Sequence, residues 1–193
     1  MELLIGCGNS RVKKLYIGED KEWKELRTLD IDPNCKPDVV HDLNVLPYPF
    51  EDNTFDEIHA YEVLEHCGRQ GDYRFFFAQF SEFHRILKPN GRLLACCPTF
   101  NSIWAFSDPG HTRIISPASL IFLSQAAYAQ VGESPMTDYR GIYKADFIRL
   151  VDKVDGESYN FVLGAVKPLT DKPLVCDNTQ SNLVEKIEDA PNT

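Results

Sequence analysis

The sequence has no run of apolar residues approaching the roughly 18 needed to span a bilayer. No membrane-spanning helix is therefore expected. The opening residues, Met1-Glu2-Leu3-Leu4-Ile5-Gly6, lack the basic n-region and long apolar core of a secretory leader. A cytoplasmic location is expected by default. Six cysteines are present, but none form a Cys-x-x-Cys pair. A disulfide framework and a structural zinc site are thus disfavoured. Cys7, Cys96 and Cys97 lie among apolar residues and read as buried reduced thiols. An excess of basic charge is also missing: 20 Lys and Arg stand against 29 Asp and Glu, a net charge of −9. Non-specific nucleic-acid binding rests on phosphate neutralisation, so nucleic acid is demoted as a partner, though not excluded. No internal repeat is visible.

What is present suits one α/β domain with a buried core, in a chain of 193 residues. Leu3-Leu4-Ile5 is a short apolar run that stops at Gly6-Cys7-Gly8, as a buried strand feeding a glycine turn would. Residues 11–25 fit no clean helical stripe. Leu26 to Ile31 reads as a second strand, Asp38 to Asp42 as a third and Phe55 to Tyr61 as a fourth. Asp72 to Lys88 carries Phe76, Phe77, Phe80, Phe83, Ile86 and Leu87 at helical spacing, and Pro89-Asn90-Gly91 should end that helix. Arg92 to Cys97 follows as a fifth strand. Ser116-Pro117 should open another helix running to about Ala129. Tyr143 to Val154 and Tyr159 to Val166 are β-rich runs, and Asp155-Gly156 between them is a hairpin signal. Strands alternating with helices predict a Rossmann-like three-layer sandwich. Its seven-stranded, mostly parallel sheet would end in an antiparallel hairpin. Residues 1–168 form the expected domain. Residues 169–193 hold five acids and two lysines without apolar periodicity, and a disordered acidic tail is expected there.

Glycines at the carboxyl end of a first strand let a ligand approach the backbone, because no Cβ intervenes. In open α/β sheets the ligand sits outside these strand ends, where strand order reverses. Asp30 ends the second strand and is placed to accept hydrogen bonds from ribose hydroxyls. Asp42 ends the third and could accept from an adenine amino group. The third glycine of the dinucleotide fingerprint is absent, since position 11 is arginine. That counts against a nicotinamide or flavin enzyme, whose pyrophosphate needs close helix packing.

With these residues in place, the chain resembles the class I S-adenosylmethionine-dependent methyltransferases of the type 11 kind. Leu4-Ile5-Gly6-Cys7-Gly8-Asn9-Ser10 resembles their first motif and Leu29-Asp30-Ile31-Asp32-Pro33 their second. Asp42-Leu43 with Leu46-Pro47-Tyr48-Pro49-Phe50 resembles the third, and Phe55-Asp56-Glu57-Ile58 leading to Val63-Leu64-Glu65-His66 the fourth. The passage from His84 to Leu93 resembles the helix-to-strand step that follows. The resemblance implies S-adenosylmethionine as cofactor. It implies that Ile5, Gly6, Cys7, Gly8 and Asn9 line its methionine part, with Tyr61 at that end. Asp30 would hold the ribose with Asp32 beside it, Ile31 would pack on the adenine, and Asp42 with Leu43 would bound the adenine. The usual N-terminal helical cap is missing ahead of the first strand, so a trimmed variant is expected, open on its substrate side or completed by another subunit in a homo-oligomer.

Methyl transfer to an alcohol or a protonated amine needs a general base. His111, in Ser107-Asp108-Pro109-Gly110-His111-Thr112-Arg113 after the fifth strand, is the first candidate; His66 is the second. His59, Glu62 and His66 are spaced as ordinary turn geometry would space them, and no metal is expected. Trp104 and Phe106 lie in a Pro-flanked stretch without periodicity, expected to be a loop, and either wall the acceptor pocket or pack on the sheet. Cys97-Pro98 does not match the Pro-Cys nucleophile of cytosine-C5 methyltransferases, and no Asn/Asp-Pro-Pro-Tyr motif follows the fourth strand. The expected acceptor is therefore a small molecule or glycan, methylated on oxygen. The alternatives are a protein or RNA methyltransferase, and a binding subunit that keeps the cofactor fold without catalysis.

Overall fold

The computed structural model describes residues 1–168. The expected tail at 169–193, with Cys176, lies outside the described residues. Seven strands form one sheet in the order β3-β2-β1-β4-β5-β7-β6. They are β1 Glu2–Ile5, β2 Leu26–Asp30, β3 Val39–Val40, β4 Phe55–Tyr61, β5 Leu87–Pro98, β6 Phe147–Asp155 and β7 Ser158–Ala165. The first five run parallel to one another, and β7 pairs antiparallel with both β5 and β6. This is the Rossmann-like arrangement expected from the sequence, antiparallel hairpin included. Because β1 pairs with β2 on one side and β4 on the other, strand order reverses beside β1. The loops leaving β1, β2 and β4 therefore meet at one edge, where ligands of such sheets sit.

One face of the sheet is covered by α1, Tyr73–Ile86. Asp72 caps it, its carboxylate accepting the Phe75 N–H at 3.0 Å, and His84 and Arg85 stand in the last turn where the helix dipole favours them. Its stripe of Phe77, Phe80, Phe83 and Ile86 is buried against Leu3, Ile5, Ile58, Ala60 and Leu93. Burying each such side chain stabilises the fold by about 1.5–3 kcal/mol. The helix stops at Ile86, earlier than Pro89 would require, because Leu87 is already extended and begins β5; Phe55 of β4 pairs with it. The Pro89-Asn90-Gly91 step is thus a kink inside the long strand, with Asn90 at φ 63°.

The opposite face carries Leu4, Tyr61, Leu94, Cys96 and Val162, and its cover is the irregular segment 11–25, through Leu15, Ile17 and Trp23. Two further expectations fail locally. The helix beginning at Ser116 has the expected N-cap, with Pro117 in its first turn, but α3 spans only Pro117–Leu120 and gives way to 3-10 turns at Ile121–Leu123 and Ala126–Gln130. Ser124 is extended at the break, and Gln125 is held by other partners. Its N–H donates to Asp146 Oδ1 at 2.8 Å and its side-chain amide to the carbonyls of Tyr143 and Ala145. The segment around Trp104 is a short helix, α2 Trp104–Ser107, rather than a loop. Five cysteines in the described residues, Cys7, Cys35, Cys67, Cys96 and Cys97, are free thiols.

Candidate active site

The first two motifs meet through one hydrogen bond. Gly8 N–H donates to Asp30 Oδ2 at 2.8 Å, while Asp30 Oδ1 accepts the Asp32 N–H at 2.9 Å. A carboxylate has about four lone-pair positions, so each oxygen keeps one for a further donor such as a ribose hydroxyl. The His41 N–H donates to the Asp30 carbonyl at 2.9 Å and brings Asp42 to the same strand edge. Asp42 closes a turn of its own, accepting from the backbone and side-chain amides of Asn44. Asp32 does the same with Asn34. Arg11, where a third glycine would stand, ties these turns together by donating to the carbonyls of Gly8 and Cys35 at 2.7 and 2.9 Å.

The two glycines of the first turn differ. Both have positive φ, 59° at Gly6 and 47° at Gly8. A Cβ on Gly6 would stand 2.3 Å from Val63 Cγ2, so Gly6 exists to let the loop after β4 close down. A Cβ on Gly8 would meet nothing within 4 Å. Gly8 therefore opens on free space beside the Asp30 carboxylate, a cradle a nucleoside could enter. Ile31, 62% exposed on the same turn, offers an apolar surface there. Ile5, Cys7 and Leu43 are buried and Asn9 is exposed. Tyr61 points to the face under residues 11–25. Its hydroxyl accepts the Leu15 N–H at 3.2 Å and lies 2.6 Å from His59 Nδ1, and burial pushes the phenol far up.

The loop after β4, pinned to Gly6 by Val63, leads to the second half of the site. His66 and His111, distant in sequence, lie with ring centroids 4.6 Å apart. The segment 107–113 is laced to the β4 loop: Thr112 and Arg113 N–H groups both donate to the Glu65 carbonyl, and Arg113 Nε to that of Leu64 at 2.8 Å. Gly110 lets it approach, since a Cβ would stand 3.1 Å from His66 Nδ1. His66 Nδ1 is 3.1 Å from the Gly110 carbonyl. His111 Nε2 lies 3.8 Å from Asp108 Oδ2 and 4.0 Å from Glu65 Oε1. Glu65, which sequence reasoning carried only as part of a motif, is 3% exposed, and neither carboxylate oxygen has a hydrogen-bond partner. Burial first, then the neighbouring Glu62 carboxylate, holds Glu65 well above the usual carboxylate range, against the pull of Arg113. No signal in the sequence links Glu65 to His111, because only loop pairing joins them. His59 lies apart from His66, fully buried and bonded to Tyr61 and Glu57. Trp104 and Phe106 are 59% and 70% exposed, on the segment leading into Asp108.

Residues 3–95 match the protein family described as “Methyltransferase domain”. This stretch of the chain is a methyltransferase domain of this family. S-adenosylmethionine is the cofactor such a domain implies, and the open backbone at Gly8 beside Asp30 fits a nucleoside. Among solved structures, the methyltransferase resembles a SAM-dependent methyltransferase from Archaeoglobus fulgidus. Identity is 17% and the TM-score 0.51, over 84% of this chain and 85% of that one; the likeness is one of fold. An S-adenosylmethionine-dependent methyltransferase from Mesorhizobium loti matches at 11% identity and a TM-score of 0.48, over 84% and 89%. No curated protein matches in sequence. In the described residues no helix is long and apolar enough to cross a membrane.

Proposed function

We propose that this methyltransferase modifies an oxygen atom of a small-molecule or glycan-type acceptor. The observation that carries the reading is the pairing of His66 with His111 at the strand ends, on a loop held against Gly6 by Val63. An alcohol must lose its proton as it attacks, and imidazole is the side chain suited to take it near neutrality. In this reading His111 is the base and His66 positions the hydroxyl. Asp30 holds the ribose hydroxyls with its free lone pairs, Asp42 with Leu43 bounds the adenine, and Ile31 packs on it. The bare Gly8 backbone, with Ile5, Cys7, Asn9, Asp32 and Tyr61 around it, frames the rest. The cofactor supplies the methyl group; the protein supplies orientation, with reacting atoms about 3–3.5 Å apart and aligned. The net charge of −9 supports a neutral or cationic acceptor over a polyanion.

Tritium transfer from labelled S-adenosylmethionine to panels of hydroxyl compounds, amines, proteins and RNA tests this directly. Label is expected in a hydroxyl compound and to fall by about 10²–10⁴-fold in His111→Ala. Label only in protein or RNA would replace the acceptor assignment. Tight cofactor binding with label in none of the panels would point to a non-catalytic subunit.

A further inference from the structure

We propose that Glu65, His66 and His111 bind a divalent cation. Their potential donor atoms all lie within 4.8 Å of one another. Bonds of about 2.0–2.2 Å at tetrahedral or facial angles put donors about 3–3.6 Å apart, so inward side-chain movements of about 1 Å or less close the set. Glu65 is the decisive residue. It is 97% withdrawn from solvent, and both its oxygens lack a donor. An ionised carboxylate buried without a partner is costly unless something positive completes its surroundings. Among the described residues, Arg113 directs its Nε and Nη2 to the Leu64 carbonyl and the Gln79 side-chain oxygen, its buried Nη1 makes no hydrogen bond to Glu65, and Glu62 adds a second carboxylate. His111 Nδ1 is likewise buried and without a partner.

The supporting shell is already built. His66 Nδ1 faces the Gly110 carbonyl at 3.1 Å, so a proton there leaves Nε2 with its lone pair outward, as metal-bound imidazoles are commonly held. Asp108, fixed by the Gly110 N–H on its Oδ1 at 2.7 Å, keeps Oδ2 toward His111. Two imidazoles and one carboxylate suit a first-row ion and leave positions open for a substrate oxygen. The role assigned to the ion, though not its binding, rests on the hydroxyl acceptor proposed above: with His66 and His111 as ligands, the ion would replace His111 as the group that favours loss of the acceptor proton and would hold the hydroxyl in place of His66.

The test uses chelator-stripped, full-length protein titrated with Mn²⁺, free ion being read by electron paramagnetic resonance, and with Zn²⁺ in competition. One saturable site is expected. Its affinity should fall by more than about tenfold in Glu65→Gln and in His111→Ala, and stay unchanged in the exposed control Asp138→Asn. Circular dichroism in chelator establishes that the variants fold; His66→Gln, at an exposed position, serves if a buried change does not. No saturable binding at millimolar ion, or equal binding by folded Glu65→Gln and His66→Gln, overturns the proposal. Methyl transfer to a hydroxyl compound by ion-free protein would leave the acceptor reading standing and remove the ion's role. Ion binding without transfer to any hydroxyl would do the reverse.

Discussion

Two clusters of carboxylate and histidine lie on the central strands and on the loops that leave them, and they are finished differently. The first is Glu2, Glu57 and His59, on β1 and β4, under the irregular cover of residues 11–25; Glu2 and Glu57 are register partners. The Lys13 ammonium sits between its carboxylates, 2.8 Å from Glu2 Oε1 and 3.4 Å from Glu57 Oε2, and stacks over Trp23. The Lys24 N–H takes the other Glu2 oxygen, and His59 bridges Glu57 and Tyr61. The second cluster, Glu65, His66 and His111, has the same residue types and no such closure. Residue type therefore does not separate a closed cluster from an open one; completion of the hydrogen bonds and charges does.

The largest way to break this comparison is to open the closed cluster. Lys13 has a side chain 1% exposed. Lys13→Met would leave two buried carboxylates facing each other, and breaking a buried pair in this way costs about 3–5 kcal/mol. Urea unfolding should show that loss. A change below about 1 kcal/mol would mean the first cluster is as open as the second.

A smaller effect separates the two glycines beside the clusters. Gly6→Ala drives a methyl into Val63 and should destabilise the fold by about 1–3 kcal/mol, the cost of overpacking, on top of backbone strain. Gly8→Ala meets no atom and should cost about 1–2 kcal/mol from its positive φ alone. Saturating S-adenosylmethionine at 100 times its Kd should raise wild-type stability by about 2.7 kcal/mol. Gly8→Ala, filling the cradle, should lose more of that gain than Gly6→Ala. Melting scans with and without cofactor read both. An equal loss would place the cofactor elsewhere.

How much of this was readable in advance follows from how local each feature is. The order Ile5-Gly6-Cys7-Gly8 then Asp30 marks the glycine turn and the carboxylate that meet at one strand edge, because strand ends and glycine turns are set by neighbours in sequence. The stripe of α1 was legible for the same reason. In β4, Ile58 and Ala60 pack on the α1 face and Tyr61 on the other, the split that a strand's alternation produces. The helix from Ser116 was over-read, since its break depends on Asp146 capturing Gln125. The Glu65–His111 approach was invisible, as it depends on segment 107–113 docking on the β4 loop, a contact between residues far apart in the chain. The roles of Gly6 and Gly8 could not be told apart either, because only packing shows that Val63 fills one side.

The finest distinction between the clusters is their response to acid. Burial alone would raise Glu57, but its hydrogen bond to His59 and the charges of His59 and Lys13 outweigh that and hold it down to about 2, from an ordinary 4.5. A carboxyl lowered on folding binds fewer protons folded than unfolded, so its contribution is fully present above pH 4.5 and is lost as pH falls toward 2. His59, lowered by burial, acts in the same direction from its ordinary 6.5 downward. Unfolding midpoints should therefore drop steadily between pH 6 and pH 3 in the wild type. Glu65 works in the opposite sense: raised on folding, it binds protons more readily folded, and its unfavourable contribution is relieved as pH falls. Glu57→Gln should flatten the wild-type decline, whereas Glu65→Gln should steepen it by removing that relief. If the two variants shift the pH profile in the same direction, the closed and open clusters are electrostatically alike and the contrast between them fails.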